Sequence, residues 1–442
     1  MVPQLETPLA LNGLSIPNRL YRAPLLECAG NHEDTVEILI SELEPAAEAG
    51  VGLIFQGAAI VRPESGCAAP NMTRVHDPAF VRSCAPLPER IESHGSRIFI
   101  QLEHGGLRSL ETWHAGYRED HPEVEQLAVS EPPPSLRLMD RLGLLALQPH
   151  ILSTDEVYEL AADFGSAAAA AVDAGYHGIH IAGANMGIVE QFCSPFFNRR
   201  TDEFGGDLTG RTRFLEEVLS EIRRQAGDSF PVVTKVPAES VGPHLTRRRL
   251  SIADGVAIAE RVAAMGYDGI VPVTGSGFWD SSIVRGAFPD RAWHNESFRE
   301  GYNDAFGGPL RRRLVEFGNR IQSMFLPATP AWNEAFCRRV KQVVDVPVFA
   351  EGGIRNRHTI DRLLRTGACD MIGMGRPFYA EPRLPARLLR AEPHVRTICE
   401  SCNNCTVPQV TGAPGVCRTP SVLAKHGTLV TEGAYETEPA ER

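Results

Sequence analysis

The sequence lacks long hydrophobic runs, a basic leader and an excess of positive charge. None of its apolar stretches approaches the roughly 20 residues that cross a bilayer, which predicts no transmembrane helix. The opening stretch, MVPQLETPLA, contains neither a basic nor an apolar segment, so no secretory signal is expected. The net charge of −11 argues against nucleic acid or an anionic membrane as a partner. These absences favour a cytoplasmic protein.

Disulfide bonds are not expected either, although the chain has ten cysteines. In a reducing cytosol, cysteines are more often free thiols or metal ligands than disulfides. The composition, 43% apolar and 22% charged, is that of an ordinary globular protein. A length of 442 residues is compatible with one α/β barrel that carries insertions.

One short pattern recurs: a helical stretch, a small residue with Gly, and then an apolar run. It appears as EAGVGLIFQ, DAGYHGIHI, AMGYDGIVPV and RTGACDMIGM. Gly suits the left-handed end of a helix, and the apolar run suits a parallel strand buried on both faces. Further strands are predicted at residues 22–25, 97–102, 232–236 and 348–351, and helices at residues such as 155–174 and 252–265.

Eight strands that alternate with helices predict an α/β fold, a (β/α)8 TIM barrel. A doubly wound sheet is the alternative, and it fits less well because no Gly-rich dinucleotide fingerprint follows the first strand. Residues 274–335 form a long insertion after strand six, which is either a packed surface element or a lid over the substrate. We assign residues 1–395 to the barrel and residues 396–442 to a Cys-rich C-terminal extension, whose polar tail from Ala424 is expected to fray.

Four stretches resemble the old yellow enzyme family, whose members are TIM-barrel oxidoreductases that use flavin mononucleotide (FMN). NRLYRAP (18–24) is similar to the family's first strand, IQLEHGG (100–106) to its third and MIGMGRPFYAEP (371–382) to its eighth. The charge-dense stretch at 194–214, SPFFNRRTDEFGGDLTGRTRF, resembles the loop after the fourth strand, and we interpret it as supporting a site. By this resemblance, the FMN contacts are Pro24, Leu25, Gly57, Gln101, Lys235, Gly352, Gly353, Gly375 and Arg376.

The chemistry of these side chains agrees with that assignment. Bare backbone N–H groups at the two glycine sites can approach a phosphate, with which Arg376 can pair. Lys235 stands where the family usually has Arg, and its charge would stabilise the reduced flavin. Gln101 would hydrogen-bond the pyrimidine ring of the flavin.

The sequence departs from the family where the substrate would bind. The family's usual stretch is His-x-x-His/Asn followed by Tyr, and the paired residues hold a carbonyl oxygen while the Tyr protonates the alkene. The corresponding residues here are Ala182, Asn185 and Gly187. We therefore predict catalytic roles for Asn185, which would hold an oxygen, and for His104, which would assist proton transfer.

Other arrangements stay open at this position. Tyr379, or a Tyr or His of the insertion, is an alternative proton donor. The alternative is that the enzyme catalyses a different flavin reaction, such as substrate dehydrogenation or amine oxidation, instead of alkene reduction. His180 shares the strand face of Ala182, and we interpret it as a core histidine bonded to a neighbour.

Four cysteines near the end of the chain have the spacing C-x2-C-x2-C-x11-C. Such spacing indicates a metal site, and both zinc and iron–sulfur clusters take four thiolates. The motif resembles the dienoyl-CoA reductase and trimethylamine dehydrogenase branch, which carries a four-iron cluster just after the barrel. We therefore predict a 4Fe–4S cluster ahead of zinc, with a purely structural thiol cluster as the alternative. The metal ligands would be Cys399, Cys402, Cys405 and Cys417.

These features predict an FMN-dependent oxidoreductase that NAD(P)H reduces and that transfers hydride to a small organic substrate such as an enone. One alternative is an iron–sulfur flavin dehydrogenase that oxidises an amine and passes electrons to a partner protein. Another is a flavin-binding electron-relay subunit without ene-reductase activity. The chain ends about 25 residues after Cys417, which is too short for the second flavin and NADH domain of the large relatives. An electron-transfer partner is therefore expected if the cluster forms, and assembly into a homo-oligomer is left open.

Overall fold

The computed structural model of the protein describes residues 4–239, 249–275, 284–390 and 394–436. Within them, parallel strands form the wall of a barrel, and we label these in chain order. Their bounds are β1 (Leu20–Arg22), β2 (Leu53–Ile60), β3 (Arg97–Glu103), β4 (Gly178–Ile181), β5 (Val232–Glu239), β6 (Gly269–Gly275), β7 (Phe349–Ala350) and β8 (Met371–Met374).

The sheet closes on itself. Its strands are hydrogen-bonded in the order β6-β5-β4-β3-β2-β1-β8-β7. A parallel bridge between Ile270 in β6 and Val348, just before β7, joins the two ends. The TIM-barrel prediction is therefore confirmed, and the doubly wound alternative is wrong because an open sheet would leave its end strands apart.

Some strand bounds differ from the predicted ones. β1 begins at Leu20 rather than at residue 22, because Leu20 already pairs with Ile372 in β8. β5 continues past residue 236 to Glu239, which pairs with Gly275 at the end of β6. β4 ends at Ile181, although the backbone of Ala182 still donates to the Leu102 carbonyl at 3.1 Å.

Helices follow the strands and cover the barrel. The helix Ile252–Met265 has its predicted bounds, with a capping box between Ser251 and Asp254 at its start and left-handed Gly266 at its end. The other helices on the barrel wall are Thr35–Glu48, Pro78–Ser83, Pro86–Ser93, Leu110–Trp113, Ala115–Asp120, Pro134–Arg141, Thr154–Asp173, Ile188–Cys193, Leu208–Ala226, Glu334–Lys341, Arg357–Arg365, Arg376–Ala380 and Pro385–Leu388. None of the described helices has both the length and the apolar character that crossing a bilayer needs.

Aromatic side chains fill the barrel interior. The ring centroid of Phe55 lies 5.2 Å from that of Tyr21 and 5.7 Å from that of Phe99. The imidazole of His180 stacks on Phe55 at 4.3 Å. Each large apolar side chain that is fully buried contributes roughly 1.5–3 kcal/mol to folding. This packing gives the polar groups at the strand ends a rigid base.

The insertion at residues 274–335 is helical and is tied to the barrel end. It contains the helices Asp290–Trp293, Arg299–Phe306 and Pro309–Phe325, whereas residues 276–283, with Trp279, lie outside the described part. The side chain of Asn333 accepts from the Thr274 N–H at 2.9 Å and donates to the Glu351 carbonyl at 3.1 Å. The insertion thus leaves β6 and returns to β7 against the carboxyl ends of both strands.

The Cys-rich extension packs on the barrel and on the insertion. Its helix Pro420–Thr431 is followed by Tyr435, which is buried and donates to the Glu381 carboxylate at 2.9 Å. The expectation that the tail frays from Ala424 is therefore wrong up to residue 436. The reason is tertiary: a single buried tyrosine anchors a segment whose composition is otherwise polar. Residues 437–442 lie outside the described part.

Candidate active site

A strained loop follows β4 and carries Asn185. The φ angles of Asn185 and Met186 are 81° and 60°, a left-handed region that residues other than Gly rarely adopt. Glu190 accepts the Met186 N–H at 2.6 Å, and Gln191 donates to the Met186 carbonyl at 2.6 Å. Arg108 donates to the Asn185 carbonyl at 2.5 Å. The surrounding side chains therefore hold a conformation that is costly by itself, which is typical of functional sites.

Three polar side chains converge at the mouth of the barrel. The amide nitrogen of Gln101 lies 2.9 Å from Nδ1 of His180, and both residues are buried. Burial, and after it the charge of Lys235, hold the pKa of His180 well below its usual value, so the imidazole is neutral. When the Gln101 amide donates to Nδ1, the ring proton is on Nε2. His180 is thus a core histidine bonded to a neighbour, as interpreted from the sequence.

Nε2 of His180, the other ring nitrogen, can donate a hydrogen bond to a bound ring. Among the described residues, Nε2 of His180 has no hydrogen-bond partner. A buried N–H group beside a cation is costly unless an acceptor arrives from outside the chain. The pyrimidine edge of a flavin supplies such acceptors, so the residues present here fit FMN.

Lys235 also belongs to a buried ion pair. Its Nζ lies 3.0 Å from Oε2 of Glu351, and the hydroxyl of Tyr21 donates to Oε1 of the same carboxylate at 3.2 Å. Burial first, and then Glu351, raise the pKa of Tyr21 well above its usual value. The pair locks the position of the lysine, because breaking a buried ion pair by removing one partner typically costs about 3–5 kcal/mol.

Leu25, three residues after β1, lies against the middle of β2 and against the end of β8. A side chain at Gly57 would place its Cβ 1.3 Å from the Leu25 carbonyl oxygen, so only Gly fits there. The nearest approach to a Cβ at Gly375 is a Leu25 methyl group at 3.0 Å. The structure thus brings together Pro24, Leu25, Gly57 and Gly375 of the predicted FMN contacts. The Gly57 N–H, however, already donates to the buried carboxylate of Glu27 at 2.7 Å.

The glycines after β7 lie under the insertion. Gly352 and Gly353 are left-handed, with φ of +102° and +70°. A Cβ at Gly352 would lie 2.7 Å from the Trp332 ring, and one at Gly353 would lie 2.0 Å from the Thr329 carbonyl oxygen. The indole N–H of Trp332 is buried and has no partner among the described residues. Because these glycines have no side chain, the insertion can pack closely against them. Their contact with a phosphate stays a prediction.

Arg376 faces the insertion and the extension. Its guanidinium donates to the side chain of Asn403 and, at 2.8 Å, to the Arg285 carbonyl. It also lines the cavity that the four predicted metal ligands share, which are Cys399, Cys402, Cys405 and Cys417. The structure therefore places Arg376 nearer to the thiols than the sequence suggested, and its contact with FMN stays a prediction.

Charges around the four thiols suit an anionic cluster. Burial raises the pKa of Cys405 to about 12, an effect that the charge of Arg376 opposes. Arg355 is a second buried cation there, and burial lowers its pKa to about 10 against the influence of Cys399. Two arginines beside four thiols would compensate the negative charge that the bound thiolates carry.

The sulfur atoms of the four cysteines are not as close together as they are around a bound zinc ion. A tetrahedral zinc site with Zn–S bonds of about 2.3 Å places its sulfur atoms about 3.8 Å apart. Among the described residues, no three cysteine sulfurs lie within 4.8 Å of one another. A four-iron cluster separates its sulfur ligands more widely, because each thiolate binds a different corner. Four thiolates suit either metal, and the choice of an iron–sulfur cluster stays a prediction.

Tyr379 connects the cysteine cavity with the end of β1. Its ring lines the cavity, and its hydroxyl lies 3.1 Å from the Leu26 carbonyl oxygen. Gln409 of the extension donates to the same carbonyl at 2.8 Å. Burial raises the pKa of Tyr379 well above its usual value. This tyrosine is thus a structural link, and the alternative that it donates a proton stays untested.

His104 lies against the loop that follows β2. Its Nδ1 accepts from the Gly106 N–H at 3.1 Å, and its ring would be 2.5 Å from a Cβ at Gly66. Burial first, and then Arg62 and Arg74, lower the pKa of His104 to about 3. The ring is therefore neutral near pH 7, and its predicted role in proton transfer stays a prediction.

A buried acid at the barrel mouth escaped the sequence reasoning. Glu103 is the last residue of β3 and is only 6% exposed. Its Oε1 lies 3.3 Å from where a Cβ at Gly187 would be. The signal that could have revealed it is strand alternation, because Glu103 is two residues after Gln101 and thus on the same face.

The charge-dense stretch at 194–214 holds the loop after β4 together. The Asn198 amide donates at 2.7 Å to both the Phe192 and the Phe204 carbonyls. Arg200 pairs with Asp202 and donates to the Val129 carbonyl at 3.0 Å. These contacts are internal to the barrel wall. These contacts fix the polypeptide that follows β4, and the support of a site by this stretch stays a prediction.

Comparisons with known proteins agree with this geometry. The sequence model of the NADH:flavin oxidoreductase / NADH oxidase family matches residues 4–274. Cinnamate reductase of Clostridium sporogenes is 26% identical over 419 residues, which are 90% of this chain and 54% of that protein. Dimethylamine dehydrogenase of a Hyphomicrobium species is 26% identical, over 93% of this chain and 49% of that protein. The chain spans about half the length of these curated relatives.

Solved structures share the barrel. A 2-naphthoyl-CoA reductase complex superposes with a TM-score of 0.71 and 18% identity, covering 99% of this chain and 59% of that one. The old yellow enzyme homologue from Zymomonas mobilis superposes with a TM-score of 0.63 and 19% identity, covering 96% and 99%. At such identities, the likeness establishes the fold alone.

Proposed function

The chain belongs to the NADH:flavin oxidoreductase / NADH oxidase family, and from this we propose that it is an FMN-dependent oxidoreductase reduced by NAD(P)H. The substrate is a small organic molecule such as an activated alkene or enone. One observation carries the proposal: the buried Nε2 of His180 has no partner among the described residues and lies beside Gln101 and Lys235. When bound, FMN supplies a group that takes up and gives back hydride.

The residues at the mouth would each contact a different part of the flavin. Gln101 and His180 would hydrogen-bond its pyrimidine ring, and Lys235 would hold the negative charge of the reduced form. Pro24 and Leu25 would contact the ring from the end of β1, and Gly57 from within β2. Gly352, Gly353, Gly375 and Arg376 would hold the phosphate, for which Arg376 has to share its hydrogen bonds with Asn403.

The loop after β4 would orient the substrate. Asn185 would bind an oxygen of the substrate, in a loop that Arg108 and Glu190 hold in its left-handed conformation. The insertion would exclude water from the mouth, because Trp332 and Asn333 fasten its end to β6 and β7. Excluding water strengthens the hydrogen bond that Asn185 makes to a polarised carbonyl.

We also propose that Cys399, Cys402, Cys405 and Cys417 hold a 4Fe–4S cluster. The support is their shared cavity, their sequence spacing and the cations Arg355 and Arg376 beside them. Such a cluster supplies single-electron transfer. The alternative function follows from it: an iron–sulfur flavin dehydrogenase that oxidises an amine, as the name of the dimethylamine dehydrogenase relative suggests.

A protein partner would carry electrons to or from that cluster. In support, the helix Pro309–Phe325 has no buried residue and exposes Leu310, Phe317, Met324 and Phe325 by 61–77% of their surfaces. Exposed apolar patches of this kind are typical of interaction surfaces. Self-association through the same helix is the competing proposal, and analytical ultracentrifugation of the purified protein separates the two.

An anaerobic absorption spectrum tests the proposed function. The protein is purified without air, and its spectrum is recorded before and after NADPH and then after 2-cyclohexenone. We expect flavin bands over a broad iron–sulfur shoulder, bleaching of the flavin by NADPH and its return with the enone. Bleaching by added dimethylamine and not by NADPH favours the amine dehydrogenase. A protein that binds no FMN even when it is added contradicts both.

A further inference from the structure

We propose that the carboxyl group of Glu103 is the proton donor of the reduction, in place of the aromatic hydroxyl that is missing at Gly187. This inference rests on the proposed function. The hydride adds to one alkene carbon, and the O–H bond of Glu103 breaks as a C–H bond forms at the other carbon. The electrons come from NAD(P)H through the flavin, and the Glu103 carboxylate then takes up a proton from water.

The position of Glu103 is the first argument. It ends β3, two residues beyond Gln101, so both side chains point to the same face of the strand. Gln101 contacts His180 there, and Lys235 acts electrostatically on Glu103 from β5. The carboxyl group therefore lies among the residues that would surround the flavin and its substrate.

Its relation to Gly187 is the second argument. Gly187 has a φ of −64°, an ordinary value, so the backbone does not require glycine there. A Cβ at this residue would lie 3.3 Å from Oε1 of Glu103 and 3.3 Å from the His104 carbonyl oxygen. A large side chain at residue 187 and the acid at residue 103 would thus compete for one space. In this chain, glycine leaves that space to the acid.

Burial favours the protonated form of Glu103. Burial raises the pKa of its carboxyl group, and the two charged groups that oppose this shift are Arg108 and Lys235. A raised pKa leaves a larger protonated fraction near neutral pH than an exposed glutamate has, which a general acid requires. Two of the other candidates are less suitable, because His104 is neutral at pH 7 and the Tyr379 hydroxyl is hydrogen-bonded to Leu26.

The test separates proton delivery from hydride delivery. Glu103→Gln keeps the shape of the side chain and removes the acid, and Glu260→Gln, an exposed helix residue, is the matched control. Each variant is reduced by NADPH and then reoxidised anaerobically either by 2-cyclohexenone or by ferricyanide, which needs no proton. We expect Glu103→Gln to lose about 10²–10⁴-fold in reoxidation by the enone, the usual range for general acids. Reduction by NADPH and reoxidation by ferricyanide should change less than twofold.

A compensating variant distinguishes catalysis from folding. Glu103→Ala combined with Gly187→Tyr opens the space and fills it with a phenol. Reoxidation of this double variant by the enone should be at least tenfold faster than that of Glu103→Ala. In the parent protein, the enone rate should fall as the pH rises, and this dependence should vanish in Glu103→Gln. Unchanged enone reoxidation in Glu103→Gln, or an equal loss with ferricyanide, overturns the proposal.

An independent measurement applies if the enone is not a substrate at all. Infrared difference spectra of the protein without FMN, between parent and Glu103→Gln at pH 7, should contain the C=O band of a protonated carboxyl group. Glu260→Gln should leave that band unchanged. A parent protein without this band has no proton on Glu103, and the inference is then wrong whatever the reaction. If the band is present but 2-cyclohexenone does not reoxidise the protein, the proposed substrate class is wrong and the protonation of Glu103 stands.

Discussion

The barrel mouth and the cysteine cavity hold their buried polar groups in different ways. At the mouth, Gln101, His180 and Lys235 each stand on a different strand, and the hydrogen bonds of the sheet fix their positions. The cavity is built from irregular chain, in which Ser401 and Asn403 are left-handed. The comparison shows that the mouth is preorganised by the fold, whereas the cavity depends on contacts to its neighbours and on what binds there.

Cluster removal should have the largest effect and should be confined to the cavity. Cys405→Ser takes away one thiolate, so we expect iron to fall from about four atoms per chain to nearly none. The extension should become sensitive to protease while the barrel stays folded, because strands do not depend on the cluster. Iron analysis and limited proteolysis measure this, with Cys84→Ser as a control at a buried cysteine of the outer core. Loss of the barrel along with the cluster would show that the barrel depends on the cavity.

Lys235→Met should be the next largest change, and it tests the mouth. It leaves Glu351 buried without its cation, so the free energy of unfolding should drop by about 3–5 kcal/mol. The double variant Lys235→Met with Glu351→Gln should regain most of that stability because no unpaired charge remains. Urea unfolding measures the stability of both variants.

FMN binding by the same two variants tests whether Lys235 contacts the flavin or only pairs with Glu351. A cation that contacts the flavin is needed in the double variant as well, so we expect FMN affinity to stay at least tenfold below that of the parent protein. Equilibrium dialysis measures it. Full recovery of FMN affinity in the double variant would mean that Lys235 serves only the ion pair.

The smallest expected effect concerns the loop that carries Asn185. Burial first, and then Glu239, raise the pKa of Glu190 to about 8. The folded state therefore binds a proton between about pH 4.3 and 8 that the unfolded state has lost, and stability must decrease as the pH rises through this range. The decrease attributable to Glu190 is at most about 1.4 kcal/mol per pH unit.

Glu190→Gln should flatten that dependence without breaking the loop, because the amide oxygen can still accept the Met186 N–H. Urea unfolding of both proteins between pH 5 and 8 gives the difference. Parallel pH profiles for the two proteins would show that Glu190 does not hold the extra proton. Cys405→Ser keeps Glu190, so the stability of this variant should depend on pH as steeply as that of the parent protein.

Much of the fold was predictable because it depends on local patterns. The helix Ile252–Met265 begins at a capping box and ends at a left-handed glycine, and both signals lie within the sequence itself. The same holds for the order of strands and for the four cysteines, whose spacing is one short motif. The roles of His104 and Arg376 were harder to predict, because the contacts of each side chain are made with a loop that is distant in the sequence.

The sequence by itself indicated the barrel through its periodicity, the cofactor class through its resemblance to a known family, and the group of four cysteines through their spacing, since all three signals are properties of neighbouring residues. Only the tertiary structure decided which polar groups meet: Glu103 with Gly187, Lys235 with Glu351, and the insertion with Gly352 and Gly353. These contacts join residues from 19 to 116 positions apart in the chain. Closure of the barrel brings them together, and no local propensity encodes such distances.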